Sequence, residues 1–332
     1  MSVKTAVILF NLGGPDSPEA VKPFLFNLFN DKAIIGAPGP IRWLLAKYIS
    51  GKRAPIAREI YAKIGGSSPL LPETEAQARA LEQVLGKTCR CFVAMRYWHP
   101  FADETVTAVK QWGADQVVLL PLYPQFSTTT TGSSLRQWAA EAARQGLDLP
   151  TRTVCCYPTQ GGLVEAMADR VRHGHGEASL QGRPRVLFSA HGLPKKVIER
   201  GDPYQAQVEL TAAAVAQVTG LDGLDWVVCY QSRVGPMEWI GPSIEAELER
   251  AGRDKVPVVV VPVAFVSEHS ETLVELDMEY RHRADELGIP AYVRVPALSC
   301  HPSFIQGLAE LVGDPATVKG VACRQLGRSC AC

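Results

Sequence analysis

The chain has 332 residues, of which 46% are hydrophobic, and its 34 basic side chains balance 34 acidic ones. This composition excludes a disordered protein, and the lack of net charge or of a long basic run argues against nucleic acid as a partner. No apolar stretch reaches the roughly 18 residues of a membrane span. The opening apolar run leads straight into a Gly-Gly-Pro turn, which indicates a strand rather than a secretory signal, so we expect a cytoplasmic protein.

Short apolar runs alternate with segments of helical period along the chain. This rhythm is typical of an α/β fold in which parallel sheets are flanked by helices. The predicted strands are residues 5–12, 91–97, 116–122, 151–156, 185–190, 225–230, 256–264 and 291–295. The predicted helices include residues 74–85, 103–111, 134–145, 206–217, 243–252 and 303–312.

The pattern of strands repeats once. Residues 7–15 align with residues 186–194 at an offset of 179, and residues 117–121 align with residues 258–262 at an offset of 141. Two copies of one α/β unit predict two similar domains that face each other across a cleft. We place them at residues 1–150 and 151–302, followed by a C-terminal helix and a cysteine-rich tail at residues 303–332.

The smaller second offset indicates extra residues in the first half. The best candidate is an insertion at about residues 16–68, in which apolar side chains such as Trp43 and Leu44 alternate with Lys47 and Arg53. An amphipathic, basic segment of this kind predicts either a lid over an apolar ligand or a patch that rests on a membrane surface. An ordinary packed pair of helices is the alternative.

His191 follows the predicted strand 185–190 and precedes a Gly-Leu-Pro turn. Ligands of open α/β sheets bind at the carboxyl ends of the strands, and an imidazole there can accept protons or bind a metal near pH 7. A histidine whose hydrogen bonds are satisfied within a loop is the alternative. In the repeat, Leu12 holds the position that His191 holds in the second half.

A second candidate stretch, residues 265–280, follows the predicted strand 256–264. Glu271, Glu275 and Glu279 recur in it every four residues, which predicts a stripe of carboxylates on one helix face with His269 at its head. Imidazole and carboxylate together suit a divalent first-row metal such as Fe²⁺. A solvated acidic face is the alternative.

Three of the nine cysteines crowd the last ten residues, at Cys323, Cys330 and Cys332. The spacing is too irregular for a zinc finger, but three soft ligands on one tail indicate a metal or cluster site. Reduced thiols on an exposed chain end are the alternative.

Seven motifs, in this order and across nearly the whole chain, resemble those of ferrochelatases. They are Leu-Phe-Asn-Leu-Gly-Gly-Pro at 9–15, Ile-Gly-Gly-Ser-Ser-Pro-Leu at 64–70, Met-Arg-Tyr-Trp-His-Pro at 95–100, Leu-Pro-Leu-Tyr-Pro-Gln-Phe-Ser at 120–127, Ser-Ala-His-Gly-Leu-Pro at 189–194, Tyr-Gln-Ser-Arg-Val-Gly-Pro-Met-Glu-Trp at 230–239 and Ser-Glu-His-Ser-Glu-Thr-Leu-Val-Glu-Leu-Asp at 267–277. The resemblance implies two Rossmann-like domains around a porphyrin cleft. It also implies insertion of Fe²⁺ into protoporphyrin IX with release of two protons, the final step of heme biosynthesis.

The resemblance further implies roles for particular residues. His191 accepts the pyrrole protons or guides the metal, with Glu271 as its acidic partner, and His269, Glu268 and Glu275 continue the relay. The family usually has Asp where Glu268 stands. The residues implied to contact the porphyrin are Leu12, Ser68, Arg96, Tyr97, Tyr123, Trp239 and Phe265. Many members have Met at the Leu12 position.

The cysteine tail resembles that of ferrochelatases that hold a [2Fe–2S] cluster with three C-terminal thiolates and one interior thiolate. The expected ligands are Cys156, Cys323, Cys330 and Cys332, with Cys155 as the alternative to Cys156 and Cys300 as a more distant candidate. The expected partners are protoporphyrin IX and ferrous iron, with peripheral contact to the inner face of a membrane through the insertion.

Two other functions fit the same pattern. A cobalt or other tetrapyrrole chelatase would share the cleft, and a two-domain protein could bind heme without chemistry. The sequence leaves the oligomeric state open.

Overall fold

The computed structural model describes residues 3–232 and 237–313. The cysteines of the predicted cluster tail, Cys323, Cys330 and Cys332, lie outside these residues. Within the described ranges, eight strands form two four-stranded parallel sheets, and each strand falls where the sequence predicts one. The strands are β1 (Thr5–Asn11), β2 (Cys89–Met95), β3 (Gln116–Pro121), β4 (Thr151–Thr153), β5 (Arg185–His191), β6 (Asp225–Gln231), β7 (Val258–Pro262) and β8 (Tyr292–Arg294).

Helices connect the strands and cover the sheets. They are α1 (Val21–Phe29), α2 (Gly39–Ala62), α3 (Leu70–Leu85), α4 (Ala102–Trp112), α5 (Thr131–Gln145), α6 (Gly161–Ala178), α7 (Lys195–Glu199), α8 (Tyr204–Val218), α9 (Ile244–Asp254), α10 (Tyr280–Glu286) and α11 (Pro302–Gly313). A π-helix, Glu271–Glu279, runs directly into α10. In the described part of the chain, no helix combines the length and the apolarity needed to cross a bilayer.

The two sheets have the same strand order, β2-β1-β3-β4 and β6-β5-β7-β8. The repeat holds at the level of individual pairs, since Val7 pairs with Val118 and the aligned Val186 pairs with Val259. The predicted α/β architecture of two parallel, helix-flanked sheets is therefore confirmed. Leu12 and His191 consequently lie at the carboxyl ends of equivalent central strands.

The chain passes from the first sheet to the second after β4. This strand pairs with β3, so the first sheet extends past the expected domain boundary at residue 150. The predicted strand 151–156 is shorter than expected, because only Thr151–Thr153 have strand partners. The division into domains stays a proposal, and we now place the boundary after β4.

Three apolar layers hold the sheets together. Successive residues of a strand point to opposite faces, so each sheet has an inner and an outer face. The inner residues Val7 and Leu9 of β1 share one central core with Val186 and Phe188 of β5. The outer face of the first sheet packs against α4 and α5. That of the second packs against α9, the π-helix and α10.

The predicted insertion at residues 16–68 contains the helices α1 and α2, which pack against each other. Phe24 and Leu25 of α1 join Tyr61 of α2 in an apolar cluster that also includes Tyr97, the second residue after β2. The insertion is a packed helical pair in this structure. It is anchored on the carboxyl end of the first sheet.

Candidate active site

His191 and Glu271 form the centre of the site. The Nδ1 atom of His191 lies 3.0 Å from Oε2 of Glu271, and both side chains are partly exposed, at 40% and 28%. His191 is the last residue of β5, and Glu271 is the first residue of the π-helix. The structure thus brings together the imidazole and the head of the carboxylate stripe that the sequence singled out.

The alternation of β5 accounts for this meeting. Leu187 faces the outer core of the second sheet, which is the layer that includes Leu276 of the π-helix. His191 is four residues further along the strand and therefore points to the same face. The strand ends there, so the imidazole is at the rim and not in the core.

The pair is electrostatically coupled. Burial lowers the pKa of His191, but the charge of Glu271 and the hydrogen bond to it outweigh burial and raise the pKa above its usual value. Burial opposes ionisation of Glu271 as well, and there the charge and hydrogen bond of His191 prevail and lower the pKa. Glu271 therefore stays ionised and makes His191 a stronger base.

Glu275 lies one step further along the stripe. Its carboxylate accepts hydrogen bonds from the backbone N–H of Ser232 at 3.0 Å, from the Ser232 hydroxyl at 2.6 Å and from Gln231 Nε2 at 3.3 Å. Burial, followed by the charge of Glu271, raises the pKa of Glu275. The two neighbouring carboxylates thus have opposite pKa shifts, which is typical of sites where one group holds a charge and the next exchanges protons.

Ser232 has a left-handed backbone, with φ of 61°, immediately after β6. Non-glycine residues adopt this conformation at a cost, and they do so mostly at functional sites. Here it turns both the N–H and the hydroxyl of Ser232 towards Glu275. Ser232 was not predicted as a site residue, and its only signal in the sequence was its place within the motif at 230–239.

Glu268 is bound by Arg294 and by the backbone of Ala297. Its Oε1 atom accepts from Arg294 Nη1 at 2.6 Å and from the backbone N–H of Ala297 at 2.9 Å. Arg294 also pairs with Asp277 inside the π-helix. In the ranges 3–232 and 237–313, no three or more His, Cys, Asp or Glu side chains are arranged to hold a metal ion.

Aromatic rings and a second imidazole surround the pair. His269 is buried, with its ring centroid 4.6 Å from that of Phe265, and burial lowers its pKa. Trp239 is bridged to Pro194, three residues after His191. Tyr204 hydrogen bonds to the backbone of His191, and burial together with Glu271 raises its pKa, so it stays a neutral hydroxyl. Nothing in the sequence pattern had indicated Tyr204.

The residues expected on the opposite wall gather at the end of β1. The backbone N–H of Tyr97 donates to the carbonyl of Leu12 at 2.9 Å, and that of Ser68 donates to Pro15 at 2.7 Å. Ser68 also explains a glycine of the Gly-Gly-Pro turn, because a Cβ at Gly14 would collide with the Ser68 side chain. Leu12 is half-buried beside Tyr97.

Arg96 and Tyr97 differ in what they present to a ligand. Arg96 is partly exposed and bonds to Asp31 and Ser133. Tyr97 is completely buried, and its hydroxyl donates to Asp31 at 2.8 Å. Tyr97 therefore lies beneath the surface in this structure. Tyr123, which follows β3, is half-buried in the outer core of the first sheet.

The insertion connects the two walls. Tyr61 of α2 lies in the same apolar cluster as Leu12, and it also hydrogen bonds to Ser270, next to Glu271. Burial raises the pKa of Tyr61 to about 12, so its hydroxyl keeps its proton beside that carboxylate. Lys63 at the end of α2 pairs with Glu279 at 3.5 Å. Leu12, Tyr61 and the His191–Glu271 pair therefore form one continuous site.

Comparisons with solved structures identify the fold. The chain matches SirB from Bacillus subtilis with Fe³⁺ at a TM-score of 0.55 and 12% identity, over 96% of this chain and 97% of that one. It matches the sirohydrochlorin chelatase SirB from B. subtilis subspecies spizizenii in complex with cobalt at a TM-score of 0.53 and 12% identity, over 98% of each chain. At such identities the likeness shows the fold alone. The fold is that of the chelatases.

Sequence comparisons give the family. The ferrochelatase family model matches residues 4–315. The ferrochelatase of Caulobacter vibrioides is 58% identical over 95% of this chain and 91% of its own length, and that of Phenylobacterium zucineum is 54% identical over 93% and 90%. The ferrochelatase of Hyphomonas neptunium is 50% identical over 100% and 92%. The chain belongs to the ferrochelatase family, the metal chelatases that insert Fe²⁺ into protoporphyrin IX in the final step of heme biosynthesis, which confirms the predicted resemblance.

Proposed function

We propose that His191 is the base of this ferrochelatase and that Glu271 is its acidic partner. The observation that carries the proposal is the 3.0 Å contact of His191 Nδ1 with Glu271. With the Nδ1 proton directed at Glu271, the neutral ring has a free lone pair on Nε2 for a pyrrole proton. The imidazolium that forms is then stabilised by the carboxylate. His269 and Glu275 continue the route for protons or iron, whereas Glu268 supports the π-helix through Arg294.

We also propose that the porphyrin lies between the two walls of the cleft. Leu12 meets one face of the ring, while His191 approaches from the other side with Trp239 and Phe265. Ser68 and Arg96 bind at the edge, and Arg96 is the group that pairs with a carboxylate of the porphyrin. An apolar cleft that favours a puckered ring accelerates metallation, because the nitrogen lone pairs of a puckered ring point towards the incoming iron.

An anaerobic assay that follows the porphyrin Soret band on addition of Fe²⁺ tests the central proposal. We expect His191→Ala to abolish turnover while porphyrin still quenches the protein's tryptophan fluorescence. The matched control is His282→Ala, since His282 also pairs with a carboxylate, Glu286, at 3.4 Å, but on the outside of α10. Undiminished turnover in His191→Ala would remove His191 from the mechanism. Competition between Fe²⁺ and Co²⁺ separates a ferrochelatase from a cobalt chelatase.

A [2Fe–2S] cluster is a further proposal, with Cys156, Cys323, Cys330 and Cys332 as ligands and Cys155 as the alternative to Cys156. Within the described residues, Cys155 and Cys156 are buried together beside Phe126, and Gln207 Nε2 donates to Cys156 Sγ at 3.4 Å. A buried cysteine whose sulfur accepts a hydrogen bond suits a cluster ligand. When bound, such a cluster supplies one-electron chemistry or a link between the tail and the domain.

Anaerobic purification followed by visible absorption and by iron and sulfide analysis tests the cluster. We expect two irons and two sulfides per chain, as in a [2Fe–2S] centre. Cys156→Ser should lose both the iron and the absorption, and Cys155→Ser should keep them. The reverse result would make Cys155 the ligand, and an iron-free wild type would refute the cluster.

Peripheral membrane contact through α2 is the last part of the proposal. Its exposed side chains include Trp43, Leu44 and Tyr48, with Lys47 Nζ 5.0 Å from the centre of the Trp43 ring. Apolar side chains mixed with lysines favour an anionic lipid surface. We expect the protein to sediment with phosphatidylserine vesicles and Leu44→Glu to weaken this. Leu180→Glu is the control, because Leu180 is 82% exposed outside the insertion. Equal binding by both variants would exclude α2 as the contact.

A further inference from the structure

Asp31 is a buried carboxylate on which several donors converge. It lies between α1 and α2 and is 8% exposed. Its Oδ2 atom accepts from Arg96 Nη2 at 2.8 Å, from the Tyr97 hydroxyl at 2.8 Å and from the Ser133 hydroxyl at 2.5 Å. Its Oδ1 atom accepts from the backbone N–H of Ala33 at 2.8 Å. Neither the sequence pattern nor the family resemblance had singled out this residue.

The contacts of Asp31 fix the Arg96 guanidinium on several sides. Arg96 Nε donates to the Ser133 hydroxyl at 2.7 Å, and the guanidinium lies 4.9 Å from the centre of the Tyr97 ring. A guanidinium has five N–H donors. In the described part of the chain, hydrogen bonds engage Nε and Nη2 of Arg96, which leaves Nη1 for a ligand.

The position of Arg96 relates this network to the substrate. Its backbone N–H donates to the carbonyl of Asn11 at 2.9 Å, and Asn11 immediately precedes Leu12 on the cleft wall. Asp31 remains charged there: burial raises its pKa, but the hydrogen bonds from Ser133 and Ala33 and the charge of Arg96 prevail and lower it. Arg96 is thus held by a permanent ion pair beside the proposed porphyrin face.

We propose that Asp31 is a positioning residue for recognition of a porphyrin carboxylate, which it achieves by holding Arg96 in one orientation. The inference rests on the proposed role of Arg96 in binding that carboxylate. A flexible arginine loses side-chain freedom when it binds, and a guanidinium that is already fixed in its plane loses less. Asp31 performs this ordering before the substrate arrives.

The charge of Asp31 also has an opposing effect, because it repels a substrate carboxylate. That carboxylate would contact the guanidinium directly while Asp31 lies beyond it, so the attraction acts over the shorter distance and exceeds the repulsion. Removing the charge of Asp31 lessens the repulsion but also removes the anchor on Nη2. We expect the loss of order to dominate, because carboxylate binding by arginine depends on the orientation of its planar donors.

The test compares protoporphyrin IX with its dimethyl ester, both in the same detergent, as substrates of the full-length enzyme. We expect D31N to raise KM for the diacid roughly tenfold, the effect of one charge-assisted hydrogen bond, and to leave KM for the ester unchanged. The value of kcat should change little for either substrate, since binding is lost equally in the ground and transition states. An equal rise in KM for both substrates, or a lower KM for the diacid, would overturn the inference.

Asp202 is a matched control, because it is also a buried carboxylate that accepts several hydrogen bonds. It accepts three hydrogen bonds on Oδ2, from the Ser127 hydroxyl and from the N–H and hydroxyl of Thr128, and one on Oδ1 from the N–H of Tyr204. We expect D202N to lower Tm about as much as D31N does. Its effect on KM should be the same for the diacid and for the ester. If D202N raised KM for the diacid selectively and as much as D31N, general loosening of the fold, and not Arg96, would cause the effect.

Two further variants keep the outcome clear. R96L should abolish the preference for the diacid; if it does not, the proposed role of Arg96 is wrong, which is a separate failure from that of Asp31. S133A removes a donor to Asp31 and the acceptor of Arg96 Nε while keeping both charges. We expect S133A to raise KM for the diacid by a smaller factor than D31N does. This variant also serves as the test if D31N fails to fold. An unchanged preference for the diacid in S133A would count against the inference.

Discussion

His191 owes its basicity to Glu271, a residue 80 positions further along the chain. The charge of Glu271 outweighs the effect of burial and raises the pKa of the imidazole. A stronger base accepts pyrrole protons more readily, but it is also protonated, and hence inactive as a base, over a wider range of acidic pH. In the proposed mechanism, the same contact therefore sets both the rate of the reaction and its acidic limit.

Glu271→Gln separates these two effects. Without the carboxylate, burial dominates and the pKa of His191 falls, so the acidic limb of the kcat/KM profile should move to lower pH. The rate on the plateau should fall on the order of 100-fold, since the weaker base loses its partner. The measurement is turnover across a pH series. Glu279→Gln is the control on the same helix, and a limb that stays in place or moves to higher pH in Glu271→Gln would contradict the coupling.

At the scale of the element, the π-helix Glu271–Glu279 depends on contacts from outside itself. Arg294 of β8 bonds both to Glu268, before the helix, and to Asp277, within it. Ser232 holds Glu275 from the loop after β6. π-Helices are rare and mostly short, and they occur mainly at functional sites, where neighbouring groups stabilise them. These contacts of Arg294 and Ser232 hold the carboxylate stripe in place beside His191.

Arg294→Met should therefore destabilise the protein by about 3–5 kcal/mol, because the change leaves the partly buried Glu268 without its cation. Urea unfolding measures this loss. Arg281→Met is the matched control: Arg281 also pairs with Asp277, at 3.4 Å, but on the surface, and we expect a loss of about 1 kcal/mol or less. Equal losses in the two variants would show that Arg294 has no special place in holding the helix.

The strands and the meeting of His191 with Glu271 were predictable, whereas the π-helix and the ion pairs that hold it were not. Apolar runs that end at turns identify strands, because burial of both faces of a parallel sheet leaves a local signal in the sequence. The four-residue spacing of Glu271 and Glu275 indicated only a helix face. Asp31 with Arg96, and Glu268 with Arg294, are ion pairs between residues 65 and 26 positions apart, and no local pattern reports such pairs.

At the scale of the whole molecule, the two halves share an apolar core and are connected by buried hydrogen bonds. Gln77 of α3 reaches the second half, as do Gln125 and the backbone N–H of Phe126, which bond to Thr211 and Gln207 of α8. Helix α11 packs against both α3 and α6. Because a large apolar interface resists relative motion of domains, we expect the cleft to keep its width while side chains and the insertion adjust to the substrate.

Gln77 shows how this interface supports the site. Its Nε2 atom donates to the carbonyls of Val266 and Ser299 at 2.9 and 3.1 Å, and its Oε1 atom accepts from the Ser267 hydroxyl at 3.0 Å. These partners belong to segments on either side of the π-helix. The Val266 carbonyl also accepts from the backbone N–H of Ser299 at 2.9 Å, so Gln77→Ala should leave the Ser267 hydroxyl and the Ser299 carbonyl without this partner and cost about 2 kcal/mol of stability.

The functional consequence distinguishes Gln77 from an ordinary buried residue. Since residues 266–270 lead directly into Glu271, loosening them should displace the carboxylate from His191 and lower kcat more than it raises KM. Gln116→Ala is the control: Gln116 bonds to Thr5 within the first sheet at 2.8 Å, so this variant should lose about 1 kcal/mol of stability with kcat unchanged. Soret-band kinetics at a temperature where both variants are folded gives the comparison. If Gln77→Ala retained full kcat despite its lower stability, the position of Glu271 relative to His191 would depend on the second half of the molecule alone.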